Sequence, residues 1–286
     1  MMKIGFNEAT AMRKSDLATD LLLTEKYGYD YIEIRLDMLK DYLKSHTIEE
    51  LAGFFSKSKV KPYALNSIEN INFCSEKEHS DVLELMEWAC SIAQKINNPY
   101  IIIVPTIDEK VKKYSIKETE EDSIKMLNEL ADIGERYGVK LAFEPIGSHH
   151  CAVKSIAQCW DIVKKVDRDS VGIAVDAFNL YLYKALQDVD DLEMVDSEKL
   201  FVFHIDDSEK LPIEKLDHCN RLWPGDGVIP LDRLILALKQ KGFDSIASVE
   251  LFRPEYWELA PEEAIKTGKE KTASALNKFY NSTTTE

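Results

Sequence analysis

The segment Val171-Gly-Ile-Ala-Val-Asp176 is apolar up to its last residue, which is a carboxylate. A strand that is apolar along its whole length is typical of a parallel sheet buried on both faces. Three further apolar runs in the second half of the chain have the same form and end on Glu144, His204 and Glu250. Active sites of α/β proteins lie at the carboxyl ends of such strands. We therefore expect the four polar side chains to converge on one point.

The spacing of the apolar runs predicts a closed barrel. Segments with apolar residues at every third or fourth position separate the runs, and this is the helical period. Eight strands are predicted: Lys3–Asn7, Tyr31–Arg35, Lys61–Asn66, Tyr100–Val104, Lys140–Glu144, Val171–Asp176, Leu200–Ile205 and Ile246–Leu251. Eight alternations of strand and helix favour an α/β fold of the (β/α)8 TIM barrel type, which typically takes about 250 residues. We expect a single domain over residues 1–286, with 281–286 as a frayed tail.

Composition restricts the class of partner. The chain has 36 basic and 51 acidic residues, a net charge of −15, and no block of Lys and Arg. Such a surface repels duplex DNA unless a local basic groove overrides it, so a small molecule or a metal ion is the easier partner. The amino terminus does not resemble a secretory signal, and no run approaches the ~20 apolar residues of a membrane span, which predicts a cytoplasmic protein without a membrane partner. Five cysteines without a CxxC pair predict free, mostly buried thiols.

Three carboxylates and one imidazole form a hard donor set that suits one divalent ion, Mn, Mg, Co or Zn, in five or six coordination. The remaining positions could take two oxygens of a hydroxyketone, so that the cation polarises the carbonyl and stabilises an enediolate. Glu144 and Glu250 could flank that substrate, one removing a carbon-bound proton and the other delivering one. The sequence does not decide which is the base. Any single acid at a strand end could instead cap a helix or form an ion pair, but four in successive strands favour a shared metal site.

Several other polar or aromatic residues are candidates for substrate contacts. Arg35 ends the second strand, Asn66 ends the third, and Arg253 lies just past Glu250. Trp223 begins a turn rich in Pro and Gly and could stack on the apolar face of a cyclitol. Structural roles remain open for all four, as ion-pair partners, helix caps or packing at the rim.

Five segments carry a family resemblance that runs along the whole chain. They are Gly5-Phe-Asn-Glu-Ala-Thr10, Gly28-Tyr-Asp-Tyr-Ile-Glu-Ile-Arg35, Phe203-His-Ile-Asp-Asp207, Trp223-Pro-Gly-Asp-Gly227 and Ser248-Val-Glu-Leu-Phe-Arg-Pro-Glu-Tyr256. The chain resembles the xylose isomerase-like TIM barrel superfamily, and within it the inosose isomerases, which interconvert 2-keto-myo-inositol and 1-keto-D-chiro-inositol. The resemblance implies a metal-dependent isomerase of inositol catabolism that moves a proton through a metal-bound enediolate. It also implies that Glu144, Asp176, His204 and Glu250 bind the metal, with the two glutamates handling protons.

The chain departs from the family at one position. The family often has His three residues after the Asp, whereas this chain has Asp176-Ala-Phe-Asn179. Asn179 can donate a hydrogen bond to a substrate hydroxyl, but it does not titrate near neutrality.

Three alternatives stay open: a ketose or sugar epimerase, a 2-keto-myo-inositol dehydratase using the same metal, and a cyclitol-binding protein without turnover. DNA repair of the endonuclease IV type is disfavoured because the extra histidines for a three-zinc cluster are missing and the charge is acidic. Barrels of this family often associate, so a homo-oligomer is also expected.

Overall fold

Eight parallel strands close into a barrel in the computed structural model, which describes residues 2–187 and 189–282. The strands follow one another around the barrel in chain order, and the last one pairs with the first. In chain order the strands are β1 Lys3–Asn7, β2 Tyr31–Arg35, β3 Lys61–Ile68, β4 Tyr100–Ile103, β5 Lys140–Phe143, β6 Val171–Asp176, β7 Leu200–Ile205, β8 Asp207–Ser208, β9 Arg221–Leu222 and β10 Ile246–Val249. β8 and β9 form a separate antiparallel pair, so β10 is the eighth strand of the barrel. The predicted TIM barrel is confirmed.

Helices join the strands and pack outside the barrel. Within the described residues they are α1 Leu17–Lys26, α2 Leu36–Tyr42, α3 Ile48–Lys57, α4 Glu76–Ile96, α5 Ile116–Tyr137, α6 Ile156–Val166, α7 Ala177–Lys184, α8 Leu231–Gln240, α9 Pro254–Trp257 and α10 Pro261–Ser282. Thr47, Ser75 and Ser115 begin their helices with capping boxes. Gly138 ends α5 at a φ of 70°, the left-handed conformation that favours glycine at a helix C-cap. Residues 283–286 of the predicted tail lie outside the described residues, and α10 includes residues 281 and 282.

The interior of the barrel is closed by aromatic rings near its amino end. Tyr31 and Tyr100 are the first residues of their strands, and both rings lie against that of Tyr63, with centroids 5.5 and 5.4 Å away. The ring of Phe201 stacks on Tyr100 at 5.2 Å. Apolar packing therefore occupies one end of the barrel, and the opposite, carboxyl end is the one left for polar side chains.

The structure also tests the predictions made from composition about the cysteines and about membrane spans. All five cysteines are free, and Cys90, Cys151 and Cys159 are buried. Among the described residues no helix has the length and apolar content needed to cross a membrane.

Candidate metal centre

The four strand-end residues meet at the carboxyl end of the barrel. One ligand atom from each of Glu144, Asp176, His204 and Glu250 lies within 4.8 Å of the other three, and all four residues are buried. Asp176 and His204 are direct neighbours in the register of β6 and β7. Glu144 and Glu250 each follow the last residue of their strands, so that they lie on either side of this pair. The convergence predicted from the sequence is present in the structure.

The two nitrogens of His204 have different surroundings. Nε2 lies 3.1 Å from Oε2 of Glu33. Nδ1 is buried without a hydrogen-bond partner among the described residues, and it faces Oε2 of Glu250 at 3.4 Å, Oε1 of Glu144 at 3.6 Å and Oδ2 of Asp176 at 3.8 Å. A buried nitrogen without a partner, facing three carboxylate oxygens, is an arrangement that a divalent cation satisfies. The residues present therefore fit a metal ion.

Burial and mutual charge shift the pKa values of these groups. Burial raises the pKa of Glu144 to about 7, although the His204 charge acts in the opposite direction. Burial also raises the pKa of Asp176. Burial acts to raise the pKa of Glu250, but the charges of His204 and Arg221 outweigh it and lower the pKa. Burial acts to lower the pKa of His204, and the surrounding carboxylates raise it well above its usual value. A cation bound by these groups would compete with protons, because the pKa values of Glu144, Asp176 and His204 are all raised.

The two glutamates are held differently. Oε1 of Glu250 accepts hydrogen bonds from Nδ2 of Asn7 and Nδ2 of Asn66, both at 2.9 Å. Its Oε2 accepts from Nη1 of Arg221, also at 2.9 Å. In the described part of the chain, Glu144 receives one side-chain hydrogen bond, from Nδ2 of Asn179 at 3.0 Å. Glu250 is thus fixed by three donors and Glu144 by one.

Arg221 is a site residue that the sequence reasoning missed. It is fully buried in β9, and its Nη1 lies 2.9 Å from Oδ2 of Asp176, 2.8 Å from Oδ2 of Asp206 and 2.9 Å from Oε2 of Glu250. One cation therefore compensates three buried carboxylates, which a buried cluster of this charge requires. The guanidinium also lies against the rings of Phe178 and Phe252. The sequence signal for Arg221 was weak, since it was only its place two residues before the Trp223 turn.

Two of the predicted substrate-contact residues lie in the centre, and three have partners elsewhere. Asn66 contacts Glu250, and Asn179 contacts Glu144. The other three make structural contacts at the rim: Arg35 with Asp37 at 3.0 Å, Trp223 with the ring of Tyr256 at 4.4 Å, and Arg253 with Glu209 at 2.6 Å. Substrate-binding roles for these three stay predictions.

Comparison with known proteins agrees with this geometry. A protein-family model described as xylose isomerase-like TIM barrel matches residues 21–275. An inosose isomerase of Halalkalibacterium halodurans is 40% identical over 287 residues, covering 100% of both chains. An inosose isomerase of Bacillus subtilis is 42% identical over 282 residues, covering 98% of this chain and 100% of that protein. The crystal structure of an IOLI protein with a bound zinc atom superposes with a TM-score of 0.93 at 41% identity, covering 97% of this chain and 99% of that chain.

Proposed function

The chain belongs to the xylose isomerase-like TIM barrel family, and on that premise we propose that it is a metal-dependent inosose isomerase. The observation that carries the proposal is the buried group of Glu144, Asp176, His204 and Glu250, in which Nδ1 of His204 faces the three carboxylates. Relatives named inosose isomerase match the chain along its whole length, which supports 2-keto-myo-inositol and 1-keto-D-chiro-inositol as the substrate and product.

The four side chains of this group would hold one divalent ion, Mn, Zn, Co or Mg. The bound zinc of the IOLI structure supports a metal in this position. When bound, a divalent cation supplies Lewis acidity that polarises a carbonyl. Its ligands must be deprotonated, so the raised pKa values of Glu144 and His204 predict that metal affinity increases with pH.

The reaction moves a ketone to the neighbouring ring carbon. A proton leaves the hydroxyl-bearing carbon beside the carbonyl, a proton is delivered to the former carbonyl carbon, and a hydroxyl proton passes from one oxygen to the other. Glu144 and Glu250 lie on the two sides of the Asp176 and His204 pair, so a substrate above the centre lies between the two carboxylates. We assign the two carbon proton transfers to these glutamates.

Polar groups around the centre orient the substrate hydroxyls. Nδ2 of Asn179 already donates to Glu144, while its Oδ1 is buried without a hydrogen-bond partner among the described residues. Asn179 therefore offers an acceptor to a substrate hydroxyl, in addition to positioning Glu144. Arg35, Trp223 and Arg253 lie farther out and are candidates for the outer part of the substrate site.

Deuterium labelling tests the proposal against the other reaction types. The protein would be incubated with 2-keto-myo-inositol in D₂O, and the products analysed by mass spectrometry. An isomerase or epimerase incorporates deuterium at carbon and conserves the carbon skeleton and its oxygens. A dehydratase forms a product that has lost water, and a cyclitol-binding protein leaves the substrate unlabelled. Loss of water or absence of label would reject the isomerase.

The organisation of the molecule is part of the same proposal. The pairing of β1 with β10 joins the first and last strands in one closed barrel, which supports a single domain over residues 1–286. The net charge of −15 supports a partner other than nucleic acid. A cytoplasmic location and self-association stay predictions.

A further inference from the structure

Glu33 is a buried carboxylate to which the proposed mechanism gives no role. It lies in the middle of β2, fully buried, and its Oε2 is 3.1 Å from Nε2 of His204. Two strands, β1 and β10, separate β2 from β7, so the contact crosses the interior of the barrel. A buried carboxylate is costly unless it has a partner, and His204 is the ionisable partner of Glu33 among the described residues.

We propose that Glu33 is a positioning residue that keeps a proton on Nε2 of His204 and thereby leaves the Nδ1 lone pair for the divalent cation. A neutral imidazole has one nitrogen that donates and one that accepts. Oε2 of Glu33 lies 3.1 Å from Nε2 of His204, and this oxygen accepts a hydrogen bond when Nε2 carries the ring proton. The other nitrogen then points its lone pair at the three carboxylates of the centre. The inference rests on the proposed metal site.

The backbone register holds Glu33 in place. Asn7 and Glu33 are direct neighbours in the pairing of β1 with β2. Nδ2 of Asn7 lies 3.5 Å from Oε2 of Glu33 and donates at 2.9 Å to Oε1 of Glu250. Oδ1 of Asn7 in turn accepts from the backbone N–H of Ala9 at 2.9 Å, which fixes the amide. Asn7 therefore connects Glu33 to Glu250. One hydrogen-bond network thus positions both the His204 ring and the carboxylate of Glu250.

The zinc-loaded parent protein provides the first test. Nitrogen-15 NMR of the labelled histidine rings reports which ring nitrogen carries the proton, and the signal missing from His204→Ala identifies the residue. We expect the proton on Nε2 and the metal on Nδ1. A proton on Nδ1 would overturn the inference, and this result does not depend on any Glu33 variant folding.

Zinc affinity provides the second test. In Glu33→Gln the amide can turn its NH2 toward Nε2, which favours the opposite tautomer. We expect zinc binding, measured by competition with a chelator, to weaken about 10- to 100-fold, as for other residues that orient a histidine ligand. Glu33→Asp keeps the charge but shortens the side chain, so it should fall between Glu33→Gln and the parent.

Glu8→Gln is the matched control. Glu8 is also fully buried, its side chain accepts from the backbone of Arg35, and burial raises its pKa well above the usual value, so that Gln mimics the protonated form. Zinc affinity should therefore change less than about two-fold in this variant. An equally small change in folded Glu33→Gln would overturn the inference. If the tautomer and affinity results hold but 2-keto-myo-inositol is not converted, only the proposed function fails.

Discussion

Asp20→Asn tests the protonation of a buried carboxyl pair beside the barrel. Asp20 of α1 and Glu8 are both fully buried, and their carboxyl groups raise each other's cost of ionisation, so the pair is stable only when a carboxyl holds a proton. The Ser15 hydroxyl donates to Asp20, and the Arg35 N–H donates to Glu8 at 2.8 Å. Asp16 adds a further negative charge nearby. The pair lacks a cationic side-chain partner among the described residues.

The magnitude follows from the pKa of Asp20. Burial raises this pKa from 3.8 to about 7, so the folded protein keeps a proton that the unfolded chain releases above about pH 4. The contribution of Asp20 to the free energy of unfolding therefore decreases as pH rises from about 4 to about 7 and is level above that. The shift of about three pKa units corresponds to roughly 4 kcal/mol at about 1.36 kcal/mol per unit. Between pH 5 and pH 8, only the two pH units below the pKa of about 7 contribute. The Asp20 contribution therefore changes by roughly 3 kcal/mol over this range.

The assay is urea unfolding of parent and Asp20→Asn at pH 5 and pH 8, at equal ionic strength. The Asn side chain does not titrate, and its amide oxygen accepts from the protonated Glu8, so the stability of the variant relative to the parent should increase by roughly 3 kcal/mol between the two pH values. Titrating groups that do not interact with Asp20 cancel in this difference. Asp161→Asn, at an exposed position of α6, is the control and should show a constant difference. A constant difference for Asp20→Asn as well would refute the reasoning.

Four further substitutions test the metal centre and the packing that supports it. Glu144→Gln and Glu250→Gln should each lower kcat about 10²- to 10⁴-fold with zinc content measured alongside, and full activity in either variant would reject the two-carboxylate mechanism. His204→Ala should lose zinc on dialysis against a weak chelator, so retention of one zinc per chain would contradict its role as a ligand. Gly147→Ala would place a Cβ 2.1 Å from the backbone oxygen of Asn179, so α7 has to move. We expect a loss of at least about 2 kcal/mol in urea unfolding, and an unchanged midpoint would refute the close packing.

The barrel strands were predictable because both of their faces are buried. All eight begin at the predicted residue, since continuous apolar runs are distinct from the surrounding helical pattern. The carboxyl ends of the strands were predicted less exactly. β3 continues two residues past its predicted end to Ile68, while β4, β5 and β10 end one or two residues before theirs. Polar side chains at the carboxyl ends of these strands belong to the functional site. The hydrophobic pattern therefore does not show at which residue the hydrogen-bonded strand pairing stops.

The metal centre was predictable to the extent that its residues end apolar runs. Glu33 was missed because it lies inside Tyr31-Ile-Glu-Ile-Arg35, where polar residues alternating with apolar ones indicate a solvent-facing side. In a barrel that side is the interior. Arg221 was missed because it lies in a two-residue strand within the long connection from β7 to β10, where no periodicity marks a buried residue. Contacts across the barrel interior form only when the sheet closes on itself. The spacing of residues along the sequence therefore does not predict them.

The central claim is tested most directly by proton NMR of 2-keto-myo-inositol in D₂O with the purified protein, first metal-free and then with Zn²⁺ or Mg²⁺. The account predicts that 1-keto-D-chiro-inositol appears only after the cation is added. An unchanged substrate in the presence of bound metal would contradict the inosose isomerase assignment, and conversion by the metal-free protein would contradict the role of the metal centre.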